Sequence, residues 1–124
     1  MRRFLLAIGL VGVALALAGT GTSATAKKQK FQLKGEVYPN SMFKIEMENK
    51  AGKDLKSVKA GTYRIKIEDK ASIHNFHLKG PGVNKKTSVS GRAETVWTVR
   101  LRKGKYTYLC DPHASTMRGS FRVT

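Results

Sequence analysis

From Phe31 onward apolar and polar residues alternate with a period of two, the signature of strands that bury one face. Phe43, Ile45 and Met47 alternate with Lys44, Glu46 and Glu48, and Tyr63, Ile65 and Ile67 alternate with Arg64, Lys66 and Glu68. Thr95, Trp97, Val99 and Leu101 share one parity, while Val96, Thr98, Arg100 and Arg102 share the other. Turn residues break these runs at Tyr38-Pro39-Asn40, Ala51-Gly52-Lys53-Asp54, Ala60-Gly61, Gly80-Pro81-Gly82, Ser90-Gly91-Arg92 and Lys103-Gly104. Glycine and proline there supply the backbone angles that turns need. The pattern predicts about seven strands, near 31–37, 42–48, 62–68, 73–79, 86–90, 94–101 and 105–110, with an eighth at 119–124. Short strands at such spacing make an all-β sandwich or barrel.

The first 26 residues break the pattern. A basic start at Arg2-Arg3, an apolar run from Phe4 to Gly19 and the small-residue stretch Ala24-Thr25-Ala26 make up a helical secretory signal peptide with its cleavage site. The apolar run is shorter than the ~20 residues a membrane-spanning helix needs, which disfavours an anchor. The expected organisation is therefore a signal peptide over 1–26 and one domain over 27–124. No cysteine lies near the cleavage point to take a lipid, so the exported chain is expected to be soluble, in the periplasm or outside the cell.

Charge narrows the partners. Without Arg2 and Arg3 the 24 basic residues fall to 22 against 8 acidic ones, so residues 27–124 carry about +14. A balance of this kind bears on partners and solubility, not on fold. It fits an acidic redox protein or an anionic envelope surface. Nucleic acid is disfavoured, because the basic residues are interleaved with strand positions and no groove-reading helix gathers them. A charged, solvated outer face is the plain alternative.

The chemistry lies at the end of the chain. The single cysteine, Cys110, ends an alternating strand, and a short loop then supplies His113 and Met117. One cysteine forms no internal disulfide, and in an exported protein an odd thiol marks an intermolecular bridge, a reactive group or a metal ligand. Tyr106, Tyr108 and Cys110 share a parity, so the sulfur belongs on the core side, where an ordinary buried thiol would also sit. A second imidazole comes from Ala71-Ser72-Ile73-His74-Asn75-Phe76-His77-Leu78. His74 shares the parity of Phe76 and Leu78 and points inward, while His77 points outward. A lone inward histidine is ordinarily a hydrogen-bonded core residue; beside a Cys and a His on another loop it becomes a candidate ligand. Thiolate, two imidazoles and a weak axial thioether form the donor set of a blue-copper electron-transfer site. A nucleophilic Cys/His pair is the enzymatic alternative, but it needs a cleft and an orienting third group.

These residues resemble the cupredoxins, the small blue-copper proteins that include plastocyanin, pseudoazurin, amicyanin and azurin. The resemblance is carried by His74-Asn75, by Glu94-Thr95-Val96-Trp97-Thr98-Val99-Arg100-Leu101, by Gly104-Lys105-Tyr106-Thr107-Tyr108-Leu109-Cys110, and by Asp111-Pro112-His113 with Met117. The Cys-to-His spacing is like that of plastocyanin and amicyanin. The His-to-Met spacing is one longer than in amicyanin and one shorter than in plastocyanin, matching azurin.

The resemblance implies a Greek-key β-sandwich holding one copper ion, with His74, Cys110 and His113 equatorial and Met117 axial. It implies a supporting role for Asn75, whose backbone N–H would donate to the Cys110 sulfur while the residue ties the two ligand loops together. Pro112, lacking an N–H, would leave the thiolate without a second such bond. It implies single-electron transfer through the edge of His113, no enzymatic reaction, and transient docking of redox partners on a collar of Pro112, Ala114 and the Gly80-Pro81-Gly82-Val83 loop, with the protein a monomer. Copper storage or delivery without a redox partner uses the same ligands and stands as the alternative.

Overall fold

The computed structural model describes residue 19 and residues 30–124; the rest of the segment read as a signal peptide, and the start at Lys27, lie outside the described residues. Nine strands follow in order: β1 Leu33–Val37, β2 Ile45–Asn49, β3 Ser57–Val58, β4 Gly61–Asp69, β5 His77–Gly80, β6 Val83–Lys86, β7 Ala93–Leu101, β8 Gly104–Leu109 and β9 Arg118–Val123. They form two sheets, ordered β2-β1-β4-β7 and β3-β9-β8-β5-β6. The β1–β4 and β3–β9 pairs are parallel, so both sheets are mixed. Alternation is a reliable guide here because each sheet buries one face against the other. The all-β sandwich expected from the sequence is the fold observed.

Four boundaries differ from the sequence reading. The added strand β3 has two residues, too few for alternation to register. The run at 86–90 is no strand, and β6 instead follows directly on the Gly80-Pro81-Gly82 turn, where Gly82 adopts φ 70°. Thr87 is diverted out of the sheet by two bonds to Phe76, its N–H donating to Phe76 O at 2.9 Å and its Oγ1 accepting from Phe76 N–H at 2.9 Å. That exchange also holds residues 73–76 off the ladder, so β5 begins only at His77. Likewise β2 begins at Ile45, and Phe43 lies outside it, 58% exposed.

The core gathers Ile65, Ile67, Val99 and Leu101 from the first sheet and Leu78, Tyr106, Tyr108 and Phe121 from the second. Phe76 stacks on Tyr108 at 5.9 Å and Tyr106 on Phe121 at 5.4 Å, within the range where aromatic pairs attract. Gly35 and Gly119 make room for these rings, since a Cβ at either would run into Phe76 or Tyr108.

The outer face of the first sheet has a peculiarity. Glu46, Glu36, Glu68 and Glu94 stand side by side across all four strands. Like charges directly opposite one another destabilise a sheet. Lysines offset the repulsion: Lys34 reaches Glu36 at 2.7 Å, Lys44 reaches Glu46 at 2.7 Å, Lys66 lies 2.9 Å from Glu68 and 3.1 Å from Glu94, and Lys70 also bonds Glu36. The bonds from Lys44 and Lys66 hold Glu46 and Glu68 below the ordinary glutamate range. Burial pushes Glu36 up, but Lys34 and Lys70 outweigh it and its carboxyl also lies low.

Candidate metal centre

Strand β8 enters at Gly104 and leaves at Leu109, about 17 Å further on at ~3.3 Å per residue. At its exit three loops meet. The first, between β1 and β2, is closed by Tyr38 N–H to Lys44 O at 3.1 Å. The second, residues 70–76, is tied to the first by Asn40, whose Nδ2 donates to Ser72 Oγ at 2.8 Å and whose Oδ1 accepts from Ser72 N–H at 2.7 Å. The third runs from Cys110 to Met117 and opens with a 3-10 turn over Asp111–His113. Pro112 suits the start of that turn, where a missing N–H leaves no bond unmade. Cys110 N–H donates to Met117 O at 3.0 Å, and Met117 N–H to His113 O at 2.8 Å, so the loop is pinned at both ends.

Within this frame the ligand-type atoms of His74, Cys110 and His113 lie within 4.8 Å of one another, the one such cluster among the described residues. Cys110 Sγ is 3.8 Å from His74 Nδ1 and 3.6 Å from His113 Nδ1, and the two Nδ1 atoms are 3.0 Å apart. Zinc holds nitrogen at about 2.0 Å and sulfur at about 2.3 Å, and a sulfur and a nitrogen at those lengths with a trigonal angle between them lie about 3.7 Å apart. The observed sulfur–nitrogen separations suit a single ion among the three atoms. His74 and Cys110 are fully buried and His113 is half-buried. His74 Nε2 is buried with no hydrogen-bond partner. Leaving such a group unpaired costs about 1–3 kcal/mol, so the ring is placed for what its other nitrogen does.

Met117 is buried in the core cluster at the end of the same loop. The tie made by Asn75 runs through its side chain. Its Nδ2 donates to Asp111 Oδ2 at 2.7 Å and to Thr87 O at 3.3 Å, and its Oδ1 accepts from Asp111 N–H at 2.8 Å. The Cys110 sulfur lies within reach of both imidazoles. Pro112 is exposed on the turn.

Three residues have a part at this pole that alternation did not disclose. Phe43, read as one of the apolar residues of a strand, sets its ring edge-on to His74 at 5.2 Å and to His113 at 5.0 Å. His77 has the outward parity read for it, yet it is buried, because Asp111 Oδ1 lies 2.7 Å from its Nδ1 and Asn84 Oδ1 lies 2.5 Å from its Nε2. Asp111 thus joins the Cys110 loop to both Asn75 and His77. Burial alone would raise its carboxyl, but the bonds from His77 and Asn75 win and hold it below the ordinary aspartate range. Its position next to the cysteine was the available signal. Behind the site Asp69 takes hydrogen bonds from Ala71 N–H at 3.1 Å and Thr87 hydroxyl at 2.8 Å, and burial pushes its carboxyl up.

One expectation fails. The Gly80-Pro81-Gly82-Val83 loop stands at the opposite pole, where Tyr106 Oη donates to Pro81 O at 2.7 Å and Gly104 packs on Pro81. Strand β5 runs antiparallel to β8, so its far end lies beside the start of β8, remote from Cys110. Apolar surface beside the imidazoles comes instead from the Met42–Phe43 and Ile73 segments, the exposed large hydrophobics among the described residues.

Comparison with known proteins agrees with this geometry. A family model described as copper binding proteins of the plastocyanin/azurin family matches residues 20–124. A direct comparison with curated protein sequences gives no match. Among solved structures, a methionine-to-glutamine variant of rusticyanin superposes with a TM-score of 0.55 at 23% identity, covering 74% of this chain and 76% of that one. Rusticyanin from Thiobacillus ferrooxidans gives 0.50 at 23%, covering 74% and 75%. Auracyanin A, a "blue" copper protein from Chloroflexus aurantiacus, gives 0.43 at 15%, covering 73% and 96%. The fold, the donor cluster and the family match together place the chain in the plastocyanin/azurin family of copper-binding proteins, with one type 1 copper ion as its cofactor.

Proposed function

We propose that the chain is an exported, monomeric electron carrier in which His74, Cys110 and His113 would hold the copper, with Met117 as a weaker fourth donor from the same loop. The observation that supports this most is the preset triad, with sulfur 3.6 and 3.8 Å from two nitrogens that are themselves 3.0 Å apart. Copper in such a donor set supplies one-electron chemistry between Cu(I) and Cu(II). The chain keeps its donors in one arrangement through bonds that do not involve the ion: Asn40 to Ser72, Asn75 to Asp111 and Asp111 to His77. Donors that need not move between oxidation states keep the cost of electron transfer small.

His113, half-buried where its neighbours are fully buried, is the route to solvent and to a partner. Phe43 shields its ring from water, and with Met42 and Ile73 it offers an apolar docking rim for short-lived encounters, which use small interfaces. Export rests on the leader read from residues 1–26; among the described residues no helix is long and apolar enough to cross a membrane. Copper titration of the purified protein, followed by visible and paramagnetic spectra, tests the reading. The expected result is an intense thiolate-to-copper band that a Cys110→Ser variant lacks, with rapid exchange between oxidised and reduced protein. Retention of the band by that variant would overturn the ligand assignment. Slow exchange with ready release of Cu(I) to a chelator would point to delivery.

A further inference from the structure

The two outer faces of the sandwich carry opposite designs. On the first sheet the lysines are matched against the row of four glutamates. The strands of the second sheet contain no carboxylate at all. Parity and register set its outward positions, because Tyr106, Tyr108, Leu78 and Phe121 take the inward ones. Lys105 and Arg122 stand opposite each other on β8 and β9; Lys79 lies beyond on β5; Arg118 and Lys86 flank the end nearest the metal pole. All five are exposed, and none has an ion-pair partner among the described residues. Between them lie the short polar side chains of Ser120, Thr107 and Asn84.

We infer that this face lies flat on an anionic lipid bilayer, its cations set against phosphate head groups. Five strands about 4.8 Å apart present a platform roughly 19 Å wide. Unopposed lysines and arginines near an anionic leaflet attract it additively. Protein partners ordinarily need a buried apolar or aromatic anchor. This face has none: the exposed large hydrophobics among the described residues, Met42, Phe43 and Ile73, belong to loops at the metal pole. A broad cationic platform without an anchor suits a surface that is itself flat and uniformly charged. Lying on it would leave His113, at the end of the sandwich, open sideways to a redox partner. The inference stands on the charge pattern alone and survives if the copper site proves to serve delivery.

The copper-loaded protein without residues 1–26 would be sedimented with phosphatidylglycerol–phosphatidylcholine vesicles at low salt. Lys79→Gln/Lys105→Gln/Arg122→Gln would be compared with a control of equal net charge, Lys50→Gln/Lys53→Gln/Arg92→Gln, from exposed loop positions. Each Lys or Arg near the leaflet is worth about a fivefold change, so the face variant is expected to bind roughly 100-fold more weakly while the control stays close to the parent. Binding should fade between about 0.01 and 0.15 M salt as the Debye length shrinks from ~30 to ~8 Å, and vesicles of phosphatidylcholine alone should not bind. An unchanged copper band would show that each variant is folded. Equal losses in the two variants would reduce the effect to net charge and overturn the inference. So would failure of the parent to bind anionic vesicles, which would leave the face to an acidic protein.

Discussion

The two poles of the sandwich are closed by different means. At the pole where β5 turns into β6 and β7 into β8, closure is mostly main-chain chemistry. Gly82 and Gly104 take φ of 70° and 141°, and Tyr106 Oη bridges the two turns, accepting from Arg102 N–H at 2.9 Å and donating to Pro81 O. The three loops that meet at the metal pole contain no glycine; side chains hold them together, through Asn40 and Ser72, Asn75 and Asp111, and Asp111 and His77. A turn made of backbone is cheap and replaceable. A pole made of side chains fixes particular atoms in particular places, which is what a metal centre requires.

Perturbing each pole tests that contrast. The largest effect should come from Cys110→Ser, which removes the only thiolate and abolishes the blue band in a copper titration while leaving the sandwich folded. Asp111→Ala comes next: it leaves the buried His77 and Asn75 with unpaired polar atoms, and it should lower the stability of the copper-free protein by roughly 2–3 kcal/mol in urea unfolding. It should also speed copper loss to a chelator. Tyr106→Phe at the other pole should cost about 1–2 kcal/mol by the same measurement, for two lost hydrogen bonds, with an unchanged copper spectrum. Equal effects of these two variants on copper release would erase the distinction between the poles. Met117→Leu should keep the ion and raise its potential in a redox titration, because a donor to the oxidised form is lost. The smallest effect concerns acid. Glu36, Glu46 and Glu68 lie below their ordinary range, so the stability they supply is full above about pH 4.3 and is lost as pH falls through their lowered values. Asp69, pushed up, acts with the opposite sign, favouring the fold below its ordinary value and losing that as pH rises through its raised one. Replacing Glu68 with Gln should flatten the acid limb of a thermal-melt profile, and an unchanged limb would rule the glutamate row out as its cause.

The sandwich was legible because alternation and turn residues are local signals. Ile65, Ile67, Tyr106 and Tyr108 fall on the buried face their parity assigned them. His74, Cys110 and His113 were legible by chemistry, since a lone thiol three residues from one histidine and joined by a second inward one makes a soft sulfur–nitrogen donor set. What stayed hidden depends on contacts between distant segments. Phe43 continues the alternation of β2 yet leaves the strand to cover two imidazoles that are 31 and 70 residues away. His77 points outward by parity and is buried by an aspartate that no periodicity could bring to it. The Gly80–Val83 loop, which the resemblance puts beside His113, stands at the other pole because β5 runs antiparallel to β8 and carries the chain away from Cys110.

The placement of β9 has a consequence for how the molecule is made. Residues 118–123, which follow the ligand loop, occupy an inner position between β3 and β8. A ribosome that has delivered everything through Met117 has therefore not yet supplied the ribbon that joins 57–58 to the rest of the second layer. Until it emerges that layer stays split, so the second sheet can close only late in synthesis, after the first sheet has all four of its strands.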